Sequence, residues 1–226
     1  KNISTMLSRV GLSPKSNYGI PNPPVYHAST ILYPNSKSHR TKKVQFQYGR
    51  FGTPTSETFC NAIADLYDAD GSIVAPSGLA AAVVGILSFV KKGSHLLVTD
   101  SAYGSTRKFI SKFLPTIGVE VEFYNPRIKP KDFEKLIKEN TSLVYFESPG
   151  SLTFELQDFP KLCQITNRLN IKSIADNTWG TILGQNPLNL GIDVVIESYT
   201  KYVSGHSDVM MGGVIARNNN FRKIKK

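Results

Sequence analysis

The tetrapeptide Ser198-Tyr199-Thr200-Lys201 stands at the exit of the apolar run Val194 to Glu197. Hydroxyls beside a lysine amine could hold a phosphate while the amine reaches an aldehyde. On those four residues alone, a solvated loop lysine is the plainer alternative. Asp176 alters the balance, because it follows Ile171-Lys172-Ser173-Ile174-Ala175, a stretch with the pattern of a buried strand. A carboxylate at such an exit can pair with a pyridinium nitrogen and keep it protonated. A lone aspartate is commonly a turn or a helix cap, but an Asp at one strand end and a Lys at the next, 25 residues on, form a combination. Ser77-Gly78 opens a helical pattern at Leu79, and a helix N-terminus preceded by a small residue offers free N–H groups to a phosphate. It reads equally as a capping turn. Tyr103 could stack on an aromatic ring, or be an amphipathic surface residue.

Positioning such groups requires strands that end together. From Thr55 onward Phe59, Ala62, Ile63 and Leu66 fall at the spacing of one helix face. Strand-like runs then alternate with helical patterns: 72–75 with 79–90, 95–99 with 107–114, and 119–124 with 131–139. The series continues through strands at 143–146, 171–175, 194–197 and 213–216, with a helix over 160–169. Alternation of this kind predicts an α/β fold with a mostly parallel sheet of seven strands between helices. In open sheets of that type ligands sit beyond the carboxyl ends of the strands, where 77–78, 100–103, 147–151, 176–177 and 198–201 would gather. The first part of the chain is rich in Pro, Ser, Asn and Lys, and Pro21-Asn22-Pro23-Pro24 opposes regular structure. The expected organisation is an irregular arm over 1–54 and a large domain over 55–226.

The bulk properties fit this reading. The 226 residues are 40% hydrophobic and 19% charged, an ordinary globular composition. A net charge of +10 raises the question of an anionic polymer, but the basic residues are scattered in small groups without nucleic-acid motifs, so no nucleic-acid partner is expected. Cys60 and Cys163 lie far apart, each in a helical pattern, which suggests buried thiols rather than a disulfide or metal pair; no metal site is expected. Lys1 to Val10 lack a signal-type core, and the longest apolar run, Leu79 to Leu87, is far short of a membrane span. A cytoplasmic protein without a membrane partner is the expectation.

A resemblance sharpens the reading. Tyr48-Gly49-Arg50-Phe51-Gly52-Thr53, Pro76-Ser77-Gly78-Leu79-Ala80-Ala81 and Ala102-Tyr103 are followed by Glu147-Ser148-Pro149-Gly150-Ser151. Asp176-Asn177-Thr178-Trp179, Thr200-Lys201-Tyr202 and Gly205-His206-Ser207-Asp208 complete the series. In this order, over nearly the whole chain, the blocks resemble the fold-type I pyridoxal 5′-phosphate (PLP) enzymes of cysteine and methionine metabolism, closest to the cystathionine β-lyase branch. The resemblance implies that Lys201 carries the cofactor and moves protons, that Asp176 pairs with its ring nitrogen, and that Tyr103 stacks on the ring and takes part in catalysis. It implies a phosphate held by Ser77, Gly78, Leu79, Ser198 and Thr200. It further implies that Tyr48 and Arg50 reach the phosphate of a neighbouring subunit, in a dimer or tetramer.

The branch rests on Ser151-Leu152-Thr153 where γ-lyases and γ-synthases tend to carry Asn-Pro-Thr, and on Trp179. The implied reaction is β-elimination of an amino-acid thioether, cystathionine giving homocysteine, pyruvate and ammonia as in methionine biosynthesis. Cleavage or replacement at the γ-carbon is the alternative on the same scaffold. Family members also have a smaller C-terminal domain whose Arg binds the substrate carboxylate, and the present stretch ends before it. A truncated form, a fragment, half of a split enzyme, or a PLP-binding remnant with little activity are therefore further expectations.

Overall fold

The computed structural model describes residues 2–225, which divide into two compact units, the first ending at Leu66 and the second beginning at Tyr67. In the first, short helices α1 (Ile3–Leu7) and α2 (Ser36–Thr41) are capped by the side chains of Asn2 and Asn35. These two helices correct the expectation of a wholly irregular arm. Helix α2 has its cap but no apolar residue to show a period, and α1, with Ile3, Met6 and Leu7 at helical spacing, is a single short turn and a half. Between them the Pro-rich stretch is tied down by Thr55, whose hydroxyl donates to the Pro24 carbonyl (2.9 Å) and accepts from the Tyr26 amide (2.9 Å). A 3₁₀ turn over Gly49–Phe51 follows an isolated bridge between Thr30 and Tyr48. Gly49 is required there, since a Cβ would lie 2.2 Å from the Ala28 carbonyl oxygen. Helix α3 (Pro54–Tyr67) begins with Pro at its first position and reaches the end of the unit.

The second unit is built on seven strands: β1 (Gly71–Ala75), β2 (His95–Thr99), β3 (Glu120–Tyr124), β4 (Thr141–Glu147), β5 (Lys172–Asp176), β6 (Val194–Glu197) and β7 (Gly212–Ala216). They form one sheet in the order β1-β7-β6-β5-β4-β2-β3. All neighbouring pairs are parallel except the two that β7 makes. The alternating pattern therefore yielded the expected sheet, with one reversed strand. Helices α4 (Gly78–Leu87), α5 (Gly104–Lys112), α6 (Pro130–Lys135) and α7 (Phe159–Arg168) follow β1, β2, β3 and β4, as crossover connections demand.

Period-two alternation explains the two cores. Leu143 and Tyr145 of β4 join Leu96, Val98, Ile174, Val194 and Ile196 against Ala81, Ile86 and Ile110 of α4 and α5. Val144 and Phe146 point the other way, where Phe146 meets Phe133 and Phe159 with ring centroids 6.2 and 5.5 Å apart. Residues buried to this degree contribute about 1.5–3 kcal/mol each by leaving water. A short helix α8 (Thr181–Gly184) follows β5, and α9 (Asn218–Ile224) follows β7. Gly71 of β1 receives the ring of Phe221, because a Cβ there would stand 2.2 Å from it. Cys163 is buried on α7, as expected; Cys60 on α3 is only partly buried, since its helix turns it toward the rim of the apolar face.

Candidate active site

Because β1, β2, β4, β5 and β6 run in the same direction, their carboxyl ends open on one rim of the sheet. The structure brings five of the singled-out segments to it. Ser77 caps α4 through its hydroxyl, which accepts from the Ala80 amide at 3.0 Å and leaves its own proton free to donate. Gly78 faces Ser198 so closely that a Cβ on it would lie 2.5 Å from the serine Cβ. Gly212 of β7 is constrained in turn, its Cβ position being 2.4 Å from the Ser77 carbonyl oxygen. Small residues at three chain segments thus leave a backbone-lined cradle at the start of α4.

Lys201 donates from Nζ to the Ser198 hydroxyl at 3.1 Å, and Nζ stands 5.8 Å from the ring centre of Tyr103, which is 46% exposed. Asp176, the last residue of β5, has both carboxylate oxygens occupied. Oδ1 accepts from the Thr178 amide (3.0 Å) and hydroxyl (2.6 Å), and Oδ2 from the Tyr145 hydroxyl (3.4 Å). The Thr178 hydroxyl also accepts from the Ser198 amide at 2.8 Å, so the aspartate and the serine next to the lysine are held by one side chain. Thr200 sits at the same rim with its hydroxyl donating to the Met211 carbonyl at 3.1 Å and accepting from the Met211 amide at 3.0 Å. Leu79 offers an exposed first-turn position on α4. Tyr48 and Arg50 belong to the first unit, where the Arg50 guanidinium lies over the Phe51 and Tyr48 rings at 4.5 and 5.8 Å.

Two further carboxyls, not assigned roles from the sequence, stand at the same strand ends. Glu147 closes β4 directly opposite Asp176 in register, and Glu197 closes β6. Burial raises the Asp176 carboxyl, opposed by its hydrogen bonds to Thr178. Glu147 is pushed up to about 9, by burial first and by the charge of Asp176 second. Burial also lifts Glu197 to about 7; its hydrogen bond from Tyr67 works in the opposite sense. Each acid ends an apolar strand, and that shared placement is the signal by which they could have been found. Glu197 accepts from the Tyr67 hydroxyl at 2.9 Å, and the Asn177 side chain donates from Nδ2 to the same hydroxyl at 3.1 Å.

The Glu197 carboxyl gives a pH-dependent stability with a definite sign. Its folded value, about 7, exceeds the ordinary 4.5, so its contribution is complete below pH 4.5 and is lost as pH rises through 7. Glu197→Gln carries no such proton. Denaturant titrations at pH 4.5 and pH 8 are expected to show the native protein losing on the order of 2–4 kcal/mol relative to the variant. Parallel stability curves for the two proteins would contradict the assignment.

The arrangement can do a defined kind of chemistry. A primary amine, a buried carboxylate with fixed oxygens, a stacking ring and an anion-accepting helix start suit a phosphorylated aromatic aldehyde. Among the described residues no cluster of His, Cys, Asp and Glu suits a metal ion, and no helix is long and apolar enough to cross a membrane.

Comparisons with known proteins agree with this fit. A family model described as Cys/Met metabolism PLP-dependent enzyme matches residues 4–226. A putative cystathionine beta-lyase of Rhizobium johnstonii is 44% identical over 224 residues, covering 99% of this chain and 56% of that protein. An L-alanine/L-glutamate racemase of Wolbachia pipientis is 37% identical, over 97% of this chain and 57% of its own length. The crystal structure of metB from Corynebacterium glutamicum superposes with a TM-score of 0.92 at 28% identity, covering 100% of this chain and 58% of that one. The chain spans less than two thirds of the length of the relatives it matches.

Proposed function

Since the chain belongs to the Cys/Met metabolism PLP-dependent enzyme family, whose cofactor is pyridoxal 5′-phosphate, we propose that it is the cofactor-binding part of a carbon–sulfur lyase acting on cystathionine or a related amino-acid thioether. The observation that carries the proposal is the joint placement of Lys201, Ser198, Thr178 and Asp176, linked by hydrogen bonds of 3.1, 2.8 and 2.6 Å. When bound, the cofactor supplies an electron sink for charge developing at the substrate's α-carbon.

The chain's own residues divide the remaining work. Lys201 would hold the cofactor's aldehyde group, and its Nζ, once the substrate's amine has displaced it, would be free to accept the substrate's α-proton. In β-elimination the same amine, once protonated, is placed to return that proton toward the departing sulfur. Asp176 keeps the ring nitrogen protonated, its oxygens fixed by Thr178 and Tyr145 so that no rotation is lost on pairing. Tyr103 stacks on the ring. The N–H groups of Gly78 and Leu79, with the hydroxyls of Ser77 and Ser198, hold the phosphate; Thr200 joins them by exchanging its bond to the Met211 carbonyl. Tyr48 and Arg50 are proposed to serve the phosphate of a second subunit, in a dimer or tetramer. Support for self-association comes from the apolar side chains that the first unit leaves exposed, Tyr18, Leu32 and Phe51 among them.

The bond cleaved is the finer part of the proposal. Ser151-Leu152-Thr153 and Trp179 favour the β-carbon, and the Trp179 ring meets that of Phe154 at 5.9 Å on the rim of the site. Incubation of the holoenzyme with L-cystathionine is expected to release pyruvate, ammonia and homocysteine in equal amounts. Appearance of 2-oxobutyrate and cysteine would move the chemistry to the γ-carbon, and a D-amino acid without thiol release would make the enzyme a racemase. A chain that binds PLP and forms none of these products would be a cofactor-binding remnant.

A further inference from the structure

We propose that Glu147 is a positioning residue, which sets the Tyr103 ring over Lys201 by anchoring the Tyr103 main chain. The proposal rests on the function inferred above. Glu147 Oε2 accepts a hydrogen bond from the Tyr103 amide at 2.7 Å, across 44 residues of sequence. Tyr103 is the residue before the first turn of α5, and it has no side-chain cap of its own there. Its φ and ψ of −50° and 135° lie outside the helix, so its direction is set by what holds its amide rather than by helical continuation. Ala102 is buried and Ser101 is bonded through its carbonyl to the Ser151 amide at 2.8 Å. The approach to the ring is therefore fixed on one side by the loop after β4 and on the other by the carboxyl that ends β4.

Two features make Glu147 suited to this task without interfering with its neighbour. It stands opposite Asp176 in the sheet register, so a second full negative charge there would repel the aspartate and raise its proton affinity. A carboxyl that remains protonated past neutrality avoids that repulsion, and its carbonyl oxygen still accepts from the Tyr103 amide. The same strand end is braced by Gln157, whose side chain donates to the Glu147 carbonyl at 2.9 Å and whose amide donates to the Ser148 hydroxyl at 2.9 Å. A side chain on a strand end, rather than a loop residue, thus holds the stacking tyrosine.

The test uses hydrogen exchange at the Tyr103 amide in the cofactor-free protein together with the dissociation constant for PLP. Glu147→Ala is expected to speed exchange at Tyr103 about tenfold or more, the loss of one buried hydrogen bond, and to weaken PLP binding by a comparable factor. Glu147→Gln, a neutral acceptor of the same length, is expected to stay within about twofold of the native protein in both readouts. In a Tyr103→Ala background, Glu147→Ala should add less than about twofold to the PLP dissociation constant, since its effect passes through the ring. Native-like exchange at Tyr103 in Glu147→Ala, additive losses in the double variant, or damage by Glu147→Gln equal to that by Glu147→Ala would each overturn the proposal. If Glu147→Ala does not fold, Glu147→Met, a side chain of similar length without an oxygen acceptor, takes its place with the same expected and overturning results. A native protein that takes up no PLP would reject the function reading, and the exchange measurement would still judge Glu147.

Discussion

Lys201→Ala is expected to lower thiol release by the holoenzyme about 10²–10⁴-fold, the range lost with a general acid–base group, and to remove the absorption band of covalently held cofactor. PLP itself should still associate, because the cradle at Ser77, Gly78 and Ser198 does not depend on the lysine. The local contacts allow the replacement, since Lys201 is exposed and the hydrogen bond from its Nζ to the Ser198 hydroxyl can be taken over by water. Borohydride reduction followed by peptide mapping is expected to label Lys201 in the native protein and nothing in the variant. Label at another lysine of the native protein would remove the basis of the proposed chemistry.

Asp176→Asn is expected to lower turnover by about 10²–10³-fold, the scale of losing one preorganised electrostatic partner, while leaving the fold at least as stable. The two effects have opposite signs for one reason. Burial holds the Asp176 carboxyl above its ordinary range, so ionising it in the folded chain costs stability that is lost as pH rises through its folded value. Asparagine keeps an oxygen for the Thr178 amide and hydroxyl but carries no charge to pair with a ring nitrogen. A stability–activity trade of this kind is characteristic of a site that stores unfavourable burial for use with a ligand. Measured by denaturant titration at pH 8 beside steady-state thiol release, a variant less stable than the native protein and equally active would contradict the role.

The parts of this molecule that were legible in the sequence are those encoded by neighbours. His95–Thr99 and Val194–Glu197 form strands with the ends expected, because each is a short apolar run closed by a polar residue. Lys201 and Asp176 stood out because each follows such a run. The helix Asn218–Ile224 did not, since only Phe221 and Ile224 are apolar and a single i, i+3 pair shows no period. The reversal of β7 was hidden for a different reason. A fully buried strand reads the same in both directions, and direction is set by which neighbours it finds. Glu147 was visible as part of a motif, yet its hydrogen bond to Tyr103 joins segments 44 residues apart, and no local pattern carries that information.

The backward run of β7 also has a consequence for where the chain travels. Thr200 and Met211 are bonded at the rim where the parallel strands finish, and from there β7 descends the sheet beside β1. It delivers Asn218 to Asp70, just ahead of the first residue of β1, where the Asn218 amide donates to the Asp70 carboxylate at 2.7 Å. Helix α9 accordingly starts at the foot of the sheet, a full strand length from the chemistry. One reversed strand thereby separates the rim that carries Lys201 and Asp176 from the end of the sheet that carries α9, so substitutions confined to α9 are expected to leave the candidate site undisturbed.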